Sequence, residues 1–486
     1  MTNPVLDSIL SQLDKSAAVT RTGRLSLKNE ARFRDCASLL AEKSALGEGD
    51  EQAAARWLIW EGALTLGITP ASINGLYLAR GRGDTPTNFT VPAMNLRTMA
   101  FDAARAVFRA AKRSDAGALI FEIARSEIGY TGQRPAEYAS SVLAAAIAEG
   151  WSGPVCIQGD HFQFSAKRMT SDPEGEAQAV RDLTAEAIAA GFYNIDIDSS
   201  TLVDLSRPTI PEQQEVNAAR CAELTAFIRS QQPKGIEISI GGEIGEVGGK
   251  NSTEQELRAF MDDYRNSLLE QKVDGRRKRS GGLAGLSKIS IQTGTSHGGV
   301  VLPNGTMAQV AVDFDTLQRL SFVARTEYGL AGAVQHGAST LPENAFGKFP
   351  ECGACEVHLA TNFQNMLYDR LPAGLRNEIY AWLQVNAADE RKPSDSDEQF
   401  YYKTRKKAIG PFKAQMWGMD DEARQAIGAA WERQFAFLFE QLNVKETREL
   451  VEKHVQSAPV ARSEHKKLAD FGLVDAEAET PKDLAD

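Results

Sequence analysis

The chain has 486 residues, enough to bury a large core as two or three domains or as one barrel with extensions. Hydrophobic residues make up 42% and charged residues 24%, as in a soluble globular protein, and the formal net charge of −11 argues against nucleic acid or an anionic membrane as a bulk partner. No apolar stretch reaches the length of a membrane span, "MTNPVLDSILSQLDKS" lacks a signal-peptide pattern, and five irregularly spaced cysteines suit a reducing compartment, so a cytoplasmic location is expected.

Residues 1–85 read as an N-terminal helical extension that includes "EQAAARWLIWEGALTLGI". Eight short apolar runs then read as strands: "FTVPAMN" (89–95), "GALIFEI" (117–123), "PVCIQG" (154–159), "FYNIDID" (192–198), "GIEISIGG" (235–242), "SKISIQT" (287–293), "GAVQH" (332–336) and "CEVHLAT" (355–361). Most are continuously apolar or β-branched, the pattern of strands buried on both faces. Helical stretches such as "TMAFDAARAVFRAAKR" and "TEQELRAFMDDYRNSLLEQ" separate them. Alternation of β and α over residues 86–375 predicts parallel strands with right-handed crossovers, and eight such units make an α/β fold of the TIM (β/α)8 barrel type. An open doubly wound sheet is the alternative, but no G-x-G-x-x-G follows the first strand.

The basic, glycine-rich "DGRRKRSGGLAGLS" (274–287) reads as a solvated loop, with an anion-gripping role as the second reading. "CGAC", Cys352 to Cys355, is a lone C-x-x-C, expected to face the core rather than hold zinc. Residues 376–486 form a C-terminal helical extension, "DEARQAIGAAWERQFAFLFEQLNVKETRELVEKHV", ending in an acidic tail expected to fray.

Active-site residues of such a barrel come from the C-terminal ends of its strands. There the third run ends in Asp160 and His161, the fourth in Asp196 and Asp198, and the fifth in Glu243. The sixth runs into "GTSHGG" with His297, the seventh ends at His336, and the eighth carries His358. One such histidine alone reads as a hydrogen-bonded structural residue. Several converging with carboxylates suit a divalent transition metal, and three imidazoles with an open fourth position describe a catalytic zinc site. Beside it, a carboxylate such as Asp160 is suited to moving a proton to or from a substrate hydroxyl.

These motifs, in this order, resemble the class II, metal-dependent fructose-bisphosphate and tagatose-bisphosphate aldolases, over roughly residues 89–430. "VPAMN" is similar to the family's P-A-F-N, "GPVCIQGDHF" to P-V-x-L-H-x-D-H and "GFYNIDIDSS" to G-F-x-x-V-M-I-D-G-S. "GEIGEVGGKNS", "GTSHGG", "QHGAST" and "EVHLATN" fill the places of E-L-G-x-x-G-G-x-E-D, G-T-S-H-G, H-G-G-S and V-N-I-D-T-D. The resemblance implies Zn2+, or another divalent transition metal, on His161, His297 and His336, with Asp198 and Glu243 as an alternative or second metal position. It implies Asp160 as the acid/base on the C4 hydroxyl. It also implies substrate or phosphate contacts from Asn95, Gly298, Gly337, Ser339, Thr340 and Thr361.

The implied reaction is reversible aldol cleavage of a phosphorylated ketose, fructose- or tagatose-bisphosphate-like, through a zinc-stabilised enediolate, in a homo-oligomer. The chain departs from the family in its loop carboxylate, where Glu246 or Glu254 stands nearest, and in carrying Val301, His358 and Ala360 where the family has Lys, Asn and Asp. A ketose or keto-acid sugar epimerase and a non-catalytic subunit of a tagatose-bisphosphate aldolase complex are the other readings. Schiff-base chemistry is not expected, because Lys288 falls at the N-terminal end of its strand.

Overall fold

The computed structural model describes residues 4–20, 23–245, 250–271, 282–294 and 311–462. His297, Gly298, Glu246, Val301 and the basic stretch 274–281 therefore lie outside the described residues.

Eight parallel strands close into a barrel: β1 (Val91–Asn95), β2 (Ile120–Ala124), β3 (Gly153–Gln163), β4 (Asn194–Asp198), β5 (Ser239–Glu243), β6 (Lys288–Ile291), β7 (Ala333–Gln335) and β8 (Glu356–Leu359). Each pairs with its sequence neighbour, and β8 returns to pair with β1, so the sheet has no free edge there. All eight coincide with the predicted apolar runs, and the fold is the expected TIM barrel. Helices follow the strands on the outside, among them Ala100–Ser114, Pro135–Ala148, Ile210–Gln231, Glu254–Glu270 and Phe314–Tyr328. After β7 come only a 3-10 turn, Glu343–Ala345, and the short helix Lys348–Glu351, whereas the long helix Asp421–Gln441 packs against Ala100–Ser114.

The N-terminal segment is built into the barrel's lower end. Its strand Ile68–Ala71, which the apolar pattern did not reveal, pairs with the first residues of β3. Helix Asn74–Arg82 plugs the bottom: the buried Arg80 donates to the carbonyls of Phe89 (2.7 Å), Ala331 (3.0 Å) and Ala354 (3.1 Å). A guanidinium fully enclosed by carbonyls satisfies main-chain acceptors that the incoming strands leave open.

The C-terminal helical stretch, one run in the sequence pattern, is broken at Asn443 and Glu446, both of positive φ (56° and 60°). The break lets Leu442 accept from the Thr90 amide (2.9 Å) and the Thr447 hydroxyl accept from Gly117 (3.1 Å) and Ala118 (3.0 Å), tying this segment to β1 and β2. The five cysteines are all free thiols, and Cys355 is buried with its thiol on the Ala333 carbonyl, a core role for that half of "CGAC". Among the described residues, no helix is long and apolar enough to cross a membrane.

Candidate functional site

Side chains two apart on a strand share a face, so Asp196 and Asp198 of β4, and Glu356 and His358 of β8, point together into the barrel. They form two polar layers. In the lower one Lys288, the first residue of β6, donates to Gln158 (2.7 Å), Asp196 (2.9 Å) and Glu356. Tyr77, from the N-terminal plug, donates to Glu356 as well. Gly241 makes room for this layer, since a Cβ there would stand 2.4 Å from Asp196 and 2.9 Å from Lys288.

In the upper layer β3 bulges. Its register against β4 shifts between Gly159 and Phe162, and His161 takes φ 41°. A regular strand would send Asp160 and His161 to opposite faces. The bulge instead brings both into one cluster with His336, at the cost of a left-handed non-glycine residue, roughly 1 kcal/mol or more. His161 Nδ1 lies 3.0 Å from Asp198 and 3.4 Å from Glu243, and its Nε2 lies 3.8 Å from Asp160. The His161 and His336 ring centroids are 4.3 Å apart, and those of His336 and His358 are 4.1 Å apart. His336 Nε2 meets the Ser290 hydroxyl at 3.0 Å.

His358 joins the layers. Its Nδ1 lies 3.1 Å from both Asp160 and Glu122, and its Nε2 lies 2.7 Å from Glu356. All of these side chains are buried, and their titration follows from burial set against neighbouring charge. Burial, with Asp160 close by, pushes the Glu122 carboxyl up to about 8. Burial, with Asp198 close by, pushes Glu243 up to about 7. Burial would also raise Glu356, but Lys288 and His358 hold it down at about 2. Burial alone would lower His161 and His358, yet the surrounding carboxylates push both well above the ordinary histidine value.

A cavity opens above these layers, lined by Asn95, Arg97, Glu122, Asp160, His336, Gly337, Ser339, Thr340, His358 and Thr361, among others. Asn95 donates to Glu127 (2.5 Å), and Ser339 accepts from the Ala360 amide (2.7 Å). Thr361 opens the helix Thr361–Tyr368, and Gly337 has φ 67°, open to glycine without strain. The structure thus brings Asp160, His161, His336, Asp198 and Glu243 into one cluster system, and sets Asn95, Gly337, Ser339, Thr340 and Thr361 around the adjoining cavity. Glu254 instead pairs with Arg258 (3.0 Å) on its own helix.

Sequence reading passed over Glu122, Glu356 and Arg97. The signal for the first two was a single charge inside an otherwise apolar run, "LIFEI" and "CEVHL", which must be paired once buried. Arg97 donates to Tyr130 (3.0 Å), lies 3.3 Å from Glu127, and reaches the Thr361 hydroxyl at 3.5 Å. Lys288 comes closer to the site than its place on β6 implied, because its ammonium reaches Asp196 and Glu356, which also face His358. Burial would lower its pKa, but Asp196 and Glu356 raise it above the ordinary lysine value, so it stays an ammonium ion rather than a nucleophile.

A closed α/β barrel with histidines and carboxylates gathered where its strands end is the layout of a TIM-barrel enzyme. The profile of one such family, "Fructose-bisphosphate aldolase class-II", matches residues 85–427. The chain belongs to that family, whose members are generally metal-dependent aldolases.

Among solved structures it is similar to a putative fructose-1,6-bisphosphate aldolase from Coccidioides immitis, at 18% identity and TM-score 0.42, covering 77% of this chain and 97% of that one. It is similar to the fructose-bisphosphate aldolase of Campylobacter jejuni, at 17% identity and TM-score 0.47, covering 78% and 97%. A probable tagatose 6 phosphate kinase from Sinorhizobium meliloti matches at 16% identity and TM-score 0.48, covering 79% and 97%. No curated protein matches the chain.

The side chains present fit a divalent ion. His161, His336 and Asp160 each offer one ligand atom, all within 4.8 Å of one another, and imidazole with carboxylate is a donor set for zinc, cobalt or manganese.

Proposed function

We propose that the chain is a metal-dependent aldolase that reversibly cleaves a phosphorylated ketose of the fructose- or tagatose-bisphosphate kind. The observation that carries this reading is the convergence of His161, His336 and Asp160 at the mouth of the barrel. His161 and His336 would hold Zn2+ or another divalent ion, with His297 as a third ligand and Asp198 and Glu243 behind His161. The bound ion would supply a Lewis acid for the substrate's carbonyl oxygen.

Asp160 takes the proton of the C4 hydroxyl. The C3–C4 bond then breaks as C4 becomes an aldehyde, and the electron pair stays with the three-carbon enediolate fragment. Donation from His161 Nδ1–H to the Asp198 and Glu243 carboxylates would be the orienting contact typical of a ligating imidazole. The anionic end of the substrate fits the opposite wall of the cavity. There the Ser339 and Thr340 hydroxyls, Gly337, the N-terminus of helix Thr361–Tyr368 and the Arg97 guanidinium supply donors. Asn95 would orient the substrate's hydroxyls. The helical flanks at 1–85 and 376–486 would carry the contacts of a homo-oligomer.

Product analysis by NMR over a panel of phosphorylated and free ketoses, with and without chelator, tests this reading. Chelator-sensitive appearance of a triose phosphate supports it. Return of an isomeric ketose of equal mass without triose would replace it with the epimerase reading, and no turnover of any panel member would remove the catalytic one.

A further inference from the structure

We infer that the site holds a second divalent cation, bound by Glu122, His358 and Asp160 Oδ1, beside the ion on His161 and His336. The inference rests on the metal reading above and shares Asp160 with it, but adds Glu122 and His358.

Geometry supplies the first argument. His358 Nε2 faces Glu356 at 2.7 Å, and Glu356 is itself locked by Lys288. If Nε2 carries the ring proton and donates it there, the imidazole is fixed in the tautomer whose Nδ1 lone pair points up the barrel. Carboxylate-fixed orientation of this kind is the usual support of a metal-ligating histidine. That lone pair would face two carboxylates, Asp160 and Glu122, each at 3.1 Å. Three electron-pair donors aimed at one another repel unless a proton or a cation lies among them, and Glu122, Asp160 and His358 each place one ligand atom within 4.8 Å of the others, the spacing a cation would bridge.

Unmet bonding supplies the second. Glu122 is fully buried, and while its Oε2 takes Gln158 (2.9 Å), its Oε1 has no hydrogen-bond partner among the described residues. A buried carboxylate oxygen left without a donor is costly, and it borders the same cavity as Asp160 and His358. The cluster below, Asp196 with Glu356 and His358, already contains the Lys288 ammonium, so it needs no ion.

Charge supplies the third. Glu122, Asp160, Asp196, Asp198, Glu243 and Glu356 are all buried here against Lys288 as the one lysine among them. With the imidazoles neutral, as metal ligands must be, that is a deficit of five positive charges, which one divalent ion cuts to three and a second to one. Without ions, protons on His161 and His358 cut it only to three. Burial of unpaired charge on that scale is not sustained without ions or protons.

The test is a count. The full chain, stripped with chelator and returned to Mn2+, is read by equilibrium dialysis with elemental analysis and by electron paramagnetic resonance. The expected result is two Mn2+ per chain, with the second equivalent broadening the isolated-ion spectrum rather than adding to it. Glu122→Gln and His358→Asn should each fall to one Mn2+, with circular dichroism confirming the fold. If one variant does not fold, the other decides, and two Mn2+ retained in a folded variant would place the second ion on Asp198 and Glu243 instead and overturn the inference. One Mn2+ per chain in the wild type, unchanged in both variants, overturns the inference and leaves the aldolase reading standing. No bound ion in the wild type, with Mn2+ or Zn2+, overturns both.

Discussion

The His161 and His336 rings stand 4.3 Å apart, one carried by the bulge of β3 and the other by the residue after β7. Strands on nearly opposite sides of the barrel deliver them, so only closure of the sheet makes them neighbours. His336→Asn keeps a polar side chain of similar size but removes the imidazole. It should leave at least one fewer bound ion per chain after dialysis, measured by elemental analysis. Wild-type metal content in this variant would take His336 out of the site.

Asp198 accepts from Ser200 (2.7 Å) and Gln163 (2.5 Å) and lies 3.0 Å from His161 Nδ1. It therefore fixes which way the imidazole faces. Asp198→Asn should weaken metal binding by about 10- to 100-fold in a chelator-competition titration, the range for a carboxylate behind a ligating histidine. An unchanged affinity would show that His161 is held by packing alone.

Lys288 compensates Asp196 and Glu356 in the interior. Lys288→Met leaves two buried carboxylates without their cation and should lower unfolding free energy by about 3–5 kcal/mol in denaturant melts. Borohydride added to the wild-type protein with a ketose should trap no covalent adduct, because the amine is protonated. A trapped adduct on Lys288 would reverse that assignment.

Lys406 gives a pH signature away from the metal cluster. Burial, with Arg97 near, lowers its pKa from 10.5 to about 8, and its ammonium lies 5.8 Å from the Tyr130 ring centre. A depressed lysine favours the folded state above the unfolded-state value of 10.5, and that contribution is lost as pH falls through 8. Lys406→Met should therefore raise Tm relative to wild type at pH 7, with the gain shrinking as pH approaches 10. A difference independent of pH would place the charge in water.

The barrel was legible because its strands are buried on both faces and so read as unbroken apolar runs with helices between them. What stayed hidden depends on contacts distant in sequence. "ITPA" is too short to announce a strand, and it becomes one only because the first residues of β3 offer it a free edge. Nothing in "GDHF" signals the left-handed His161 that brings two adjacent side chains into one cluster. The histidines and acidic strand ends were visible, since charged residues closing apolar runs have few other uses. Glu122, Glu356 and Lys288 sit inside their runs, and their pairing appears only once β2, β6 and β8 face one axis.

Asp160 is the group on which the carbon–carbon chemistry turns. The most direct test follows triose phosphate release from a ketose bisphosphate with a coupled dehydrogenase, at saturating metal, for the wild type and for Asp160→Asn. Release by the wild type that falls about 10²- to 10⁴-fold in the variant is the predicted result. No release from the wild type, or equal rates in both proteins, would contradict it.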